Sequence, residues 1–390
     1  MMRSLLLLWL SHLFLDFFTG IWPIYKTISH IDITKAGLIA GLSGFIGEAL
    51  QLFSGYFCDR GYRKKLMMLG LCLGSCILLI TLASDILSSF FILLLLMLGS
   101  ASFHPAAAGF TGLLSADHKG RNILFFASGG AIGLAVSQLV FTSLLTYFKG
   151  HAWILFVPVF LLVFALSRYS FVESKSGTTF SFKNFLGPFL RNRRALLLLY
   201  FTQVANYSLV QAFTFLLPDL MLAKDCHNWL CMGGGHLSFI LCSALTMIPA
   251  GYLCDKYGHK TVLLIVIFFA VCLFYGFLLQ SSLSFFSTTL LLTLLGGCLG
   301  IVNPILVSWG NKLVPESPST VSALMMGCAW CFGHLGSTWA GCIVRAMENE
   351  PILRTLYVMG ILIPACFLFV LFVPQMRSIV MESKNKSTIA

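Results

Sequence analysis

The sequence predicts an all-α membrane protein whose twelve transmembrane helices form two six-helix bundles. Its composition is 58% apolar and only 10% charged, whereas a soluble domain carries about 25% charged residues. Many apolar runs exceed the length of about 18 residues that marks a spanning helix, and they lack the alternation of membrane-barrel strands. A charged segment occurs once in each half of the chain, which indicates that the two halves are related.

The repeated segment reads GYFCDRGYRK at 55–64 and GYLCDKYGHK at 251–260. The offset of 196 residues is about half of the 390-residue chain, and each copy separates two apolar runs. The chain is therefore predicted to be a duplication, with an N-terminal bundle at 1–172 and a C-terminal bundle at 195–374.

The first span is expected near 4–25, directly after Arg3. His12 and Asp16 interrupt its apolar core and no small-residue cleavage site follows, so a retained helix is expected rather than a signal peptide. The other spans of this half are expected near 35–57, 66–84, 86–114, 122–147 and 152–171.

A polar stretch at 173–194 is expected to be a cytoplasmic loop between the bundles. The spans of the second half are expected near 195–222, 236–254, 261–280, 284–309, 320–346 and 352–373. A charged cytoplasmic tail at 375–390 follows them.

Most of the 25 Lys and Arg residues fall on the side of the membrane that holds both termini. The positive-inside rule makes that side cytoplasmic, as in a multi-pass protein of the bacterial inner membrane. Lys26 is assigned to a loop on the outer side. The formal charge of +11 is spread over short loops, so nucleic-acid binding is not expected.

The residues that carry chemistry are those that are costly in lipid. His12 and Asp16 are four residues apart and share one helix face, where an acid beside a histidine can relay a proton. The alternative is a fixed pair that packs the first span against another helix. Glu48, with Gln51, forms a second polar face that serves either proton coupling or structural hydrogen bonding.

Two polar residues precede prolines at matching positions of the halves, namely His104 and Asn303. Such a repeat suggests two walls of one substrate site, or else simple helix kinks. Gln203, Asn206 and Gln211 make the seventh span rich in amides, which either contact the ligand or hold helices together.

Several other polar residues are expected to be structural. His334 is expected to be a packed histidine, and Asp219 to reach water near the outer end of the seventh span. Cys328 and Cys331 are expected to pack in the core. Cys226 and Cys231 share an outer loop and offer a disulfide, or a zinc site together with His227 and His236.

The absence of certain groups from the sequence also limits the function. No predicted span has a central Lys or Arg, which counts against uptake of organic phosphates. No nucleotide-binding P-loop is present, so an ATP-driven pump is not expected. No nucleophile or metal cluster suggests an enzyme, and neither a metal nor a cofactor is expected.

Both charged segments resemble the signature loop of the major facilitator superfamily, which implies the fold of that family over the whole chain. The resemblance implies a conformational latch, in which glycine permits close helix contact, the acid faces a helix N-terminus and the bases bind carbonyl groups. Tyr62 stands where the family usually has Gly. The latch residues are Gly55, Asp59, Arg60, Arg63, Lys64, Gly251, Asp255, Lys256, Gly258 and Lys260.

The first half is also similar to the fosmidomycin-resistance-type efflux proteins. Ala106 replaces the Glu that usually follows Phe-His-Pro, and Ser137-Gln138 replaces the Gly-Pro of antiporters. The motifs that carry the similarity are His12-x3-Asp16 with Pro23, Gly99-x3-Phe103-His104-Pro105, Gly120-Arg121 and Gly129-Gly130-x2-Gly133.

Together these features predict a secondary active transporter that works by alternating access. It is expected to be a proton-coupled antiporter that exports a small organic compound or drug, and to act as a monomer in the lipid bilayer. Metabolite uptake by a symporter of the same fold is the alternative. A non-transporting membrane sensor would have lost the polar residues of the cavity, which are present here.

Overall fold

The computed structural model describes residues 2–114, 119–148, 151–171, 192–280, 284–314 and 321–374. These ranges form helices and contain no strand. We number the membrane-length helical segments in chain order as α1 (Met2–Ile28), α2 (Ile33–Phe57), α3 (Arg60–Leu82), α4 (Ile86–Leu113), α5 (Lys119–Tyr147), α6 (Ala152–Arg168), α7 (Arg193–Ala223), α8 (Leu230–Tyr257), α9 (His259–Leu279), α10 (Phe285–Leu313), α11 (Ala329–Ala346) and α12 (Pro351–Phe372).

Ten of these described helices are long and apolar enough to cross a membrane. The helices α6 and α11 are shorter or more polar. Large apolar side chains remain exposed on the outer surface, among them Phe160 at 69% and Phe286 at 73%, as expected where a helix faces lipid rather than water. The predicted fold class, an all-helical membrane protein, is confirmed.

The packing of the helices repeats with a shift of six, as a duplication requires. Helix α1 packs on α5 as α7 packs on α11, and α2 packs on α4 as α8 packs on α10. The two halves meet through α2 with α11 and through α5 with α8, which are also related by a shift of six. The described helices thus form two bundles around an approximate twofold axis.

Successive helices run in opposite directions, which defines two ends of the protein. We call the end with the repeated charged segments the hairpin end, and the opposite end, with Lys26 and Lys224, the distal end. Gly37 and Gly41 of α2 lie so close to Ser337 and Thr338 of α11 that a Cβ atom would overlap them. Small residues at this contact let the two backbones approach closely.

The lysine at the end of each repeated segment makes the same contacts in both halves. Lys64 donates hydrogen bonds to the carbonyl oxygens of Ser167 and Tyr169, each at 2.8 Å. Lys260 donates to those of Leu371 and Val373, each at 2.8 Å. These bonds tie α3 to the end of α6 and α9 to the end of α12.

The departure at Tyr62 has a local explanation. The second segment turns at Gly258 with φ of 84°, whereas the first turns one residue earlier, at Gly61 with φ of 89°. Only glycine adopts this region without strain. The glycine of the first segment has therefore moved by one position, and Tyr62 (φ −98°) takes an ordinary backbone conformation.

In this structure Gly55 and Gly251 make no close contact with the described helices, so their role in the latch stays a prediction. A Cβ atom at either position would meet nothing within 4 Å. Asp255 is exposed and pairs with Lys312 at 3.1 Å within its own half. The side chain of Asp59 lies outside the described residues.

The other bases of the segments occupy different environments. Arg60 lies over the ring of Tyr56, 4.0 Å from its centroid. Lys256 lies 5.1 Å from the ring centroid of Tyr257. Arg63 is buried beside Gly109.

Candidate functional site

An acid and two histidines meet inside the N-terminal bundle. Asp16 and His12 lie on α1, and Nε2 of His12 is 3.2 Å from Oδ2 of Asp16. His104 comes from α4, with Nε2 3.3 Å from Oδ1 of the same carboxyl group. The side chains of Asp16 and His104 keep 20% and 28% of their surface accessible.

Hydrogen bonding requires a proton between His12 and Asp16. Nδ1 of His12 lies 2.9 Å from the carbonyl oxygen of Phe126, which can only accept, so Nδ1 carries a hydrogen. Nε2 of a neutral ring would then turn a lone pair toward the carboxylate. Two acceptors at this distance repel each other, so either the imidazole or the carboxyl group holds an additional proton.

His104 is free to change its tautomer, unlike His12. Its Nδ1 lies 3.0 Å from the carbonyl oxygen of Ser100 and 3.1 Å from the hydroxyl oxygen of the same residue. Ser100 therefore offers both an acceptor and a donor. Nε2 of His104 can present either a hydrogen or a lone pair to Asp16, as a proton relay needs.

Glycines of α5 make room for this cluster. A Cβ atom at Gly130 would fall within 2.5 Å of Cε1 of His12, and one at Gly129 within 2.5 Å of the carbonyl oxygen of Trp9. The ring of Phe126, also from α5, stacks on His12 at 4.2 Å. The glycine motif of the fifth span therefore holds α5 against the face of α1 that carries His12 and Asp16.

We expect Gly130→Ala to impair coupling without unfolding the protein. The added methyl group must displace His12 or Asp16, and misplacement by about 1 Å can cost a reaction up to about 100-fold. Gradient-driven transport in proteoliposomes should fall by about 10- to 100-fold. Gly276→Ala is the matched control, because its methyl group meets open space within α9 and alanine favours a helix by about 1 kcal/mol. Equal transport by both variants would contradict this role of Gly130.

Glu48 forms a second acidic position, at the contact between the halves. It is buried, and its Oε1 lies 3.9 Å from Nε2 of His334 on α11. Oε2 of Glu48 is buried without a hydrogen-bond partner among the described residues. His334 is packed, as expected, but it packs against an acid of the opposite half. Glu48 also lies within electrostatic range of His104 and Asp16.

Two aromatic residues that sequence reasoning missed extend this cluster. Tyr207 of α7 has its hydroxyl 3.4 Å from Nε2 of His334 and contacts the side chain of Gln211. Trp330 stacks on Tyr207 at 5.2 Å, and its indole nitrogen has no partner among the described residues. Aromatic residues are common in all these spans, so no sequence signal distinguishes this pair.

The amides of the C-terminal half pair with each other. Gln203 of α7 donates to Oδ1 of Asn303 on α10, and Asn206 donates to the carbonyl oxygen of Leu299. Gln203 and Asn206 are buried, an arrangement that favours the helix-packing alternative over ligand contact. The bond between Gln203 and Asn303 joins α7 to α10, just as the contact of His104 with Asp16 joins α4 to α1 in the other half.

The predictions for Lys26 and Asp219 are wrong. Lys26 is fully buried within α1, near its distal end, rather than in a loop, and it forms an ion pair with Oδ2 of Asp219. The hydroxyl of Thr27 donates to Oδ1 of Asp219 at 3.0 Å. The ammonium also lies 4.6 Å from the ring centroid of Phe215. These contacts join α1 of one half to α7 of the other.

The sequence left a disulfide or a zinc site open for Cys226 and Cys231, and the described residues form neither. Cys226 and Cys231 are free thiols, and Sγ of Cys231 donates to the carbonyl oxygen of Cys226 at 3.3 Å. His236 directs Nε2 to the carbonyl oxygen of Leu134, and His227 packs on Phe285. Cys331 is buried and donates to the carbonyl oxygen of Phe45.

Comparisons with known proteins agree with this architecture. The family model of the Major Facilitator Superfamily matches residues 4–338. The chain is 23% identical to the fosmidomycin resistance protein of Escherichia coli (strain K12), over 94% of this chain and 92% of that protein. It is 22% identical to the uncharacterized MFS-type transporter YfnC of Bacillus subtilis (strain 168), over 85% and 83% of the two chains.

Solved structures show the same fold at low identity. A bacterial homologue of the human lysosomal transporter Spinster, in an inward-facing and occupied conformation, has a TM-score of 0.77 at 12% identity, over 95% of this chain and 96% of that one. The nucleoside transporter NupG (D323A mutant) has a TM-score of 0.76 at 15% identity, over 95% and 98%.

Proposed function

Because the chain belongs to the Major Facilitator Superfamily, we propose that it is a proton-coupled secondary transporter that exports a small organic compound. The observation that carries this proposal is the contact between His12 and Asp16, which requires one proton between them. The contact lies in the middle of a membrane-length helix, where ionisable groups are costly unless they have a function.

Alternating access explains how such a proton moves across the membrane. The hydrogen bonds between the halves cluster toward the distal end, such as those from Thr34 to the carbonyl oxygen of Gly341 and from Thr142 to that of Met232. With both termini cytoplasmic, this structure is closed on the outer side. Rocking of the bundles would then expose the cluster to the other side. Reporter fusions test the orientation: a fusion after Lys312 should report the cytoplasmic side, and a fusion within 223–234 should report the outer side.

Proton coupling is assigned to the N-terminal half. Asp16 and His12 hold the proton, and His104 exchanges it with water on the accessible side through its two tautomers. Glu48 links this cluster to His334 across the interface, so the charge of the cluster affects how the halves close. In the C-terminal half, the polar pair between α7 and α10 is formed by the neutral amides of Gln203 and Asn303.

The substrate contacts are proposed where the halves face each other. His104 and Glu48 provide polar groups from one half, and Tyr207, Gln211 and Trp330 provide a stacked aromatic surface and an amide from the other. A small organic compound with a flat apolar part and a few hydrogen-bonding groups fits these contacts. Asn303 contributes by holding Gln203 rather than by contacting the ligand.

Export is favoured over uptake by one comparison. The relative from Escherichia coli is called a resistance protein, whereas the nucleoside transporter structures are compatible with uptake by the same fold. The protein is proposed to act as a monomer in the bacterial inner membrane, and a non-transporting sensor is the remaining alternative.

Transport in proteoliposomes tests the proposal. Compounds that raise the thermal stability of the purified protein serve as candidate substrates, because ligand bound to the folded state stabilises it by mass action. We expect substrate to leave the vesicle lumen faster when the proton concentration is higher outside the vesicles than inside. A flux that ignores the gradient would contradict proton coupling. A bound ligand without any flux would support the sensor.

A further inference from the structure

A groove on the lipid-facing surface of the C-terminal half is lined by two arginines and by apolar side chains. It lies between the beginning of α7 and the end of α12 and has a volume of about 550 Å³. Its lining residues are Arg193, Arg194, Leu197, Leu198, Phe201, Phe369 and Phe372. Both arginines are exposed, and none of these residues is acidic.

The charged and apolar parts of the groove are separated along the membrane normal. Arg193 and Arg194 are the first two residues of α7, at the hairpin end of the helix. Phe201 lies eight residues further into the membrane, about 12 Å along the helix axis. The groove therefore has a positive mouth at the level of lipid headgroups and apolar walls at the level of acyl chains.

Neighbouring contacts hold the walls in place. Phe201 packs against Phe369 of α12, with ring centroids 6.2 Å apart. Lys260 donates to the carbonyl oxygens of Leu371 and Val373 and so fixes the end of α12. The groove is thus a feature of packed helices rather than of a loop.

We propose that this groove binds one anionic phospholipid. The guanidinium groups of Arg193 and Arg194 bind the phosphate, since arginine presents its N–H groups in a planar fork that matches phosphate oxygens. An acyl chain lies along Leu197, Phe201 and Phe372. A zwitterionic lipid has the same acyl chains, but the two arginines would repel the positive group of its headgroup.

Native mass spectrometry of the full-length protein in neutral detergent tests this site. Phosphatidylglycerol is titrated against phosphatidylcholine of the same chain length, and the dissociation constant of the first bound lipid is measured. A basic residue contributes roughly 5-fold to binding of an anionic lipid. The R193Q/R194Q variant should therefore bind phosphatidylglycerol about 25-fold more weakly, with phosphatidylcholine binding unchanged.

Two further variants make the result specific. R345Q/R354Q removes the same charge from exposed arginines at the distal end and should leave the first dissociation constant unchanged. Leu197→Trp fills the groove and leaves the arginines in place. This variant should bind phosphatidylglycerol more weakly.

Three outcomes would overturn the proposal. The first is equal affinity of the wild-type protein for the two lipids. The second is an equal loss of phosphatidylglycerol binding in R193Q/R194Q and R345Q/R354Q. The third is binding of glycerol 3-phosphate as tight as that of phosphatidylglycerol, which would indicate a free-phosphate site.

Discussion

The Asp16→Asn variant is expected to lose gradient-driven transport and to retain substrate exchange. Asparagine has the shape of the protonated acid, and its amide can donate to the lone pair on Nε2 of His12, whose Nδ1 is held by Phe126. The variant is therefore locked in a neutral, fully hydrogen-bonded state. Exchange requires only the rocking of the bundles, whereas accumulation requires the release of a proton on each cycle.

Proteoliposomes measure both activities. Accumulation by Asp16→Asn should fall to the level of protein-free vesicles, and counterflow of labelled substrate should stay within a few-fold of the wild-type rate. Asp32→Asn is the matched control. Asp32 caps α2 by accepting from the backbone N–H of Lys35, and asparagine caps a helix equally well. Accumulation by Asp16→Asn at near wild-type rate would move the coupling role to Glu48 or to a histidine.

Breaking the ion pair between Lys26 and Asp219 is expected to open the distal end. Removal of one partner from a buried pair costs about 3–5 kcal/mol, because the other charge remains buried without compensation. This cost applies only while the two halves are closed there, since separation of α1 from α7 lets water reach the remaining charge. Asp219→Asn should therefore shift the equilibrium toward the state open at the distal end by about 100-fold or more.

Labelling by a membrane-impermeant maleimide measures this shift. A cysteine is placed at Thr34, which bonds to α11 at the closed interface, in a background where the 13 native cysteines are replaced. Asp219→Asn should raise its labelling rate. A cysteine at the exposed Tyr147 reports the labelling efficiency of each sample.

Two control variants define the mechanism. Asp225→Asn makes the same chemical change at an exposed residue of the same end and should not alter labelling. The double variant Lys26→Met with Asp219→Leu should restore closure, because apolar residues replace a buried pair at little or no cost. Unchanged labelling of Thr34→Cys in the Asp219→Asn variant would rule out a closing role for the pair.

The sequence by itself determined the helices, the duplication and the pairing of His12 with Asp16. The bilayer requires each span to be a helix of about 20 apolar residues, so the spans follow from hydropathy alone. His12 and Asp16 share a face because of helical periodicity. These predictions depend on neighbours within one helix, and local geometry is the same wherever that helix packs.

Only the tertiary structure decided which polar residues meet across helices. His104 joins Asp16, Glu48 faces His334, Gln203 binds Asn303, and Lys26 enters the interior to pair with Asp219. In a soluble helix an apolar stripe shows which face is buried. In this protein the lipid-facing and inward-facing sides are both apolar, so the sequence does not fix the rotation of a helix. Close packing between helices fixes it instead, and that packing brings these pairs together.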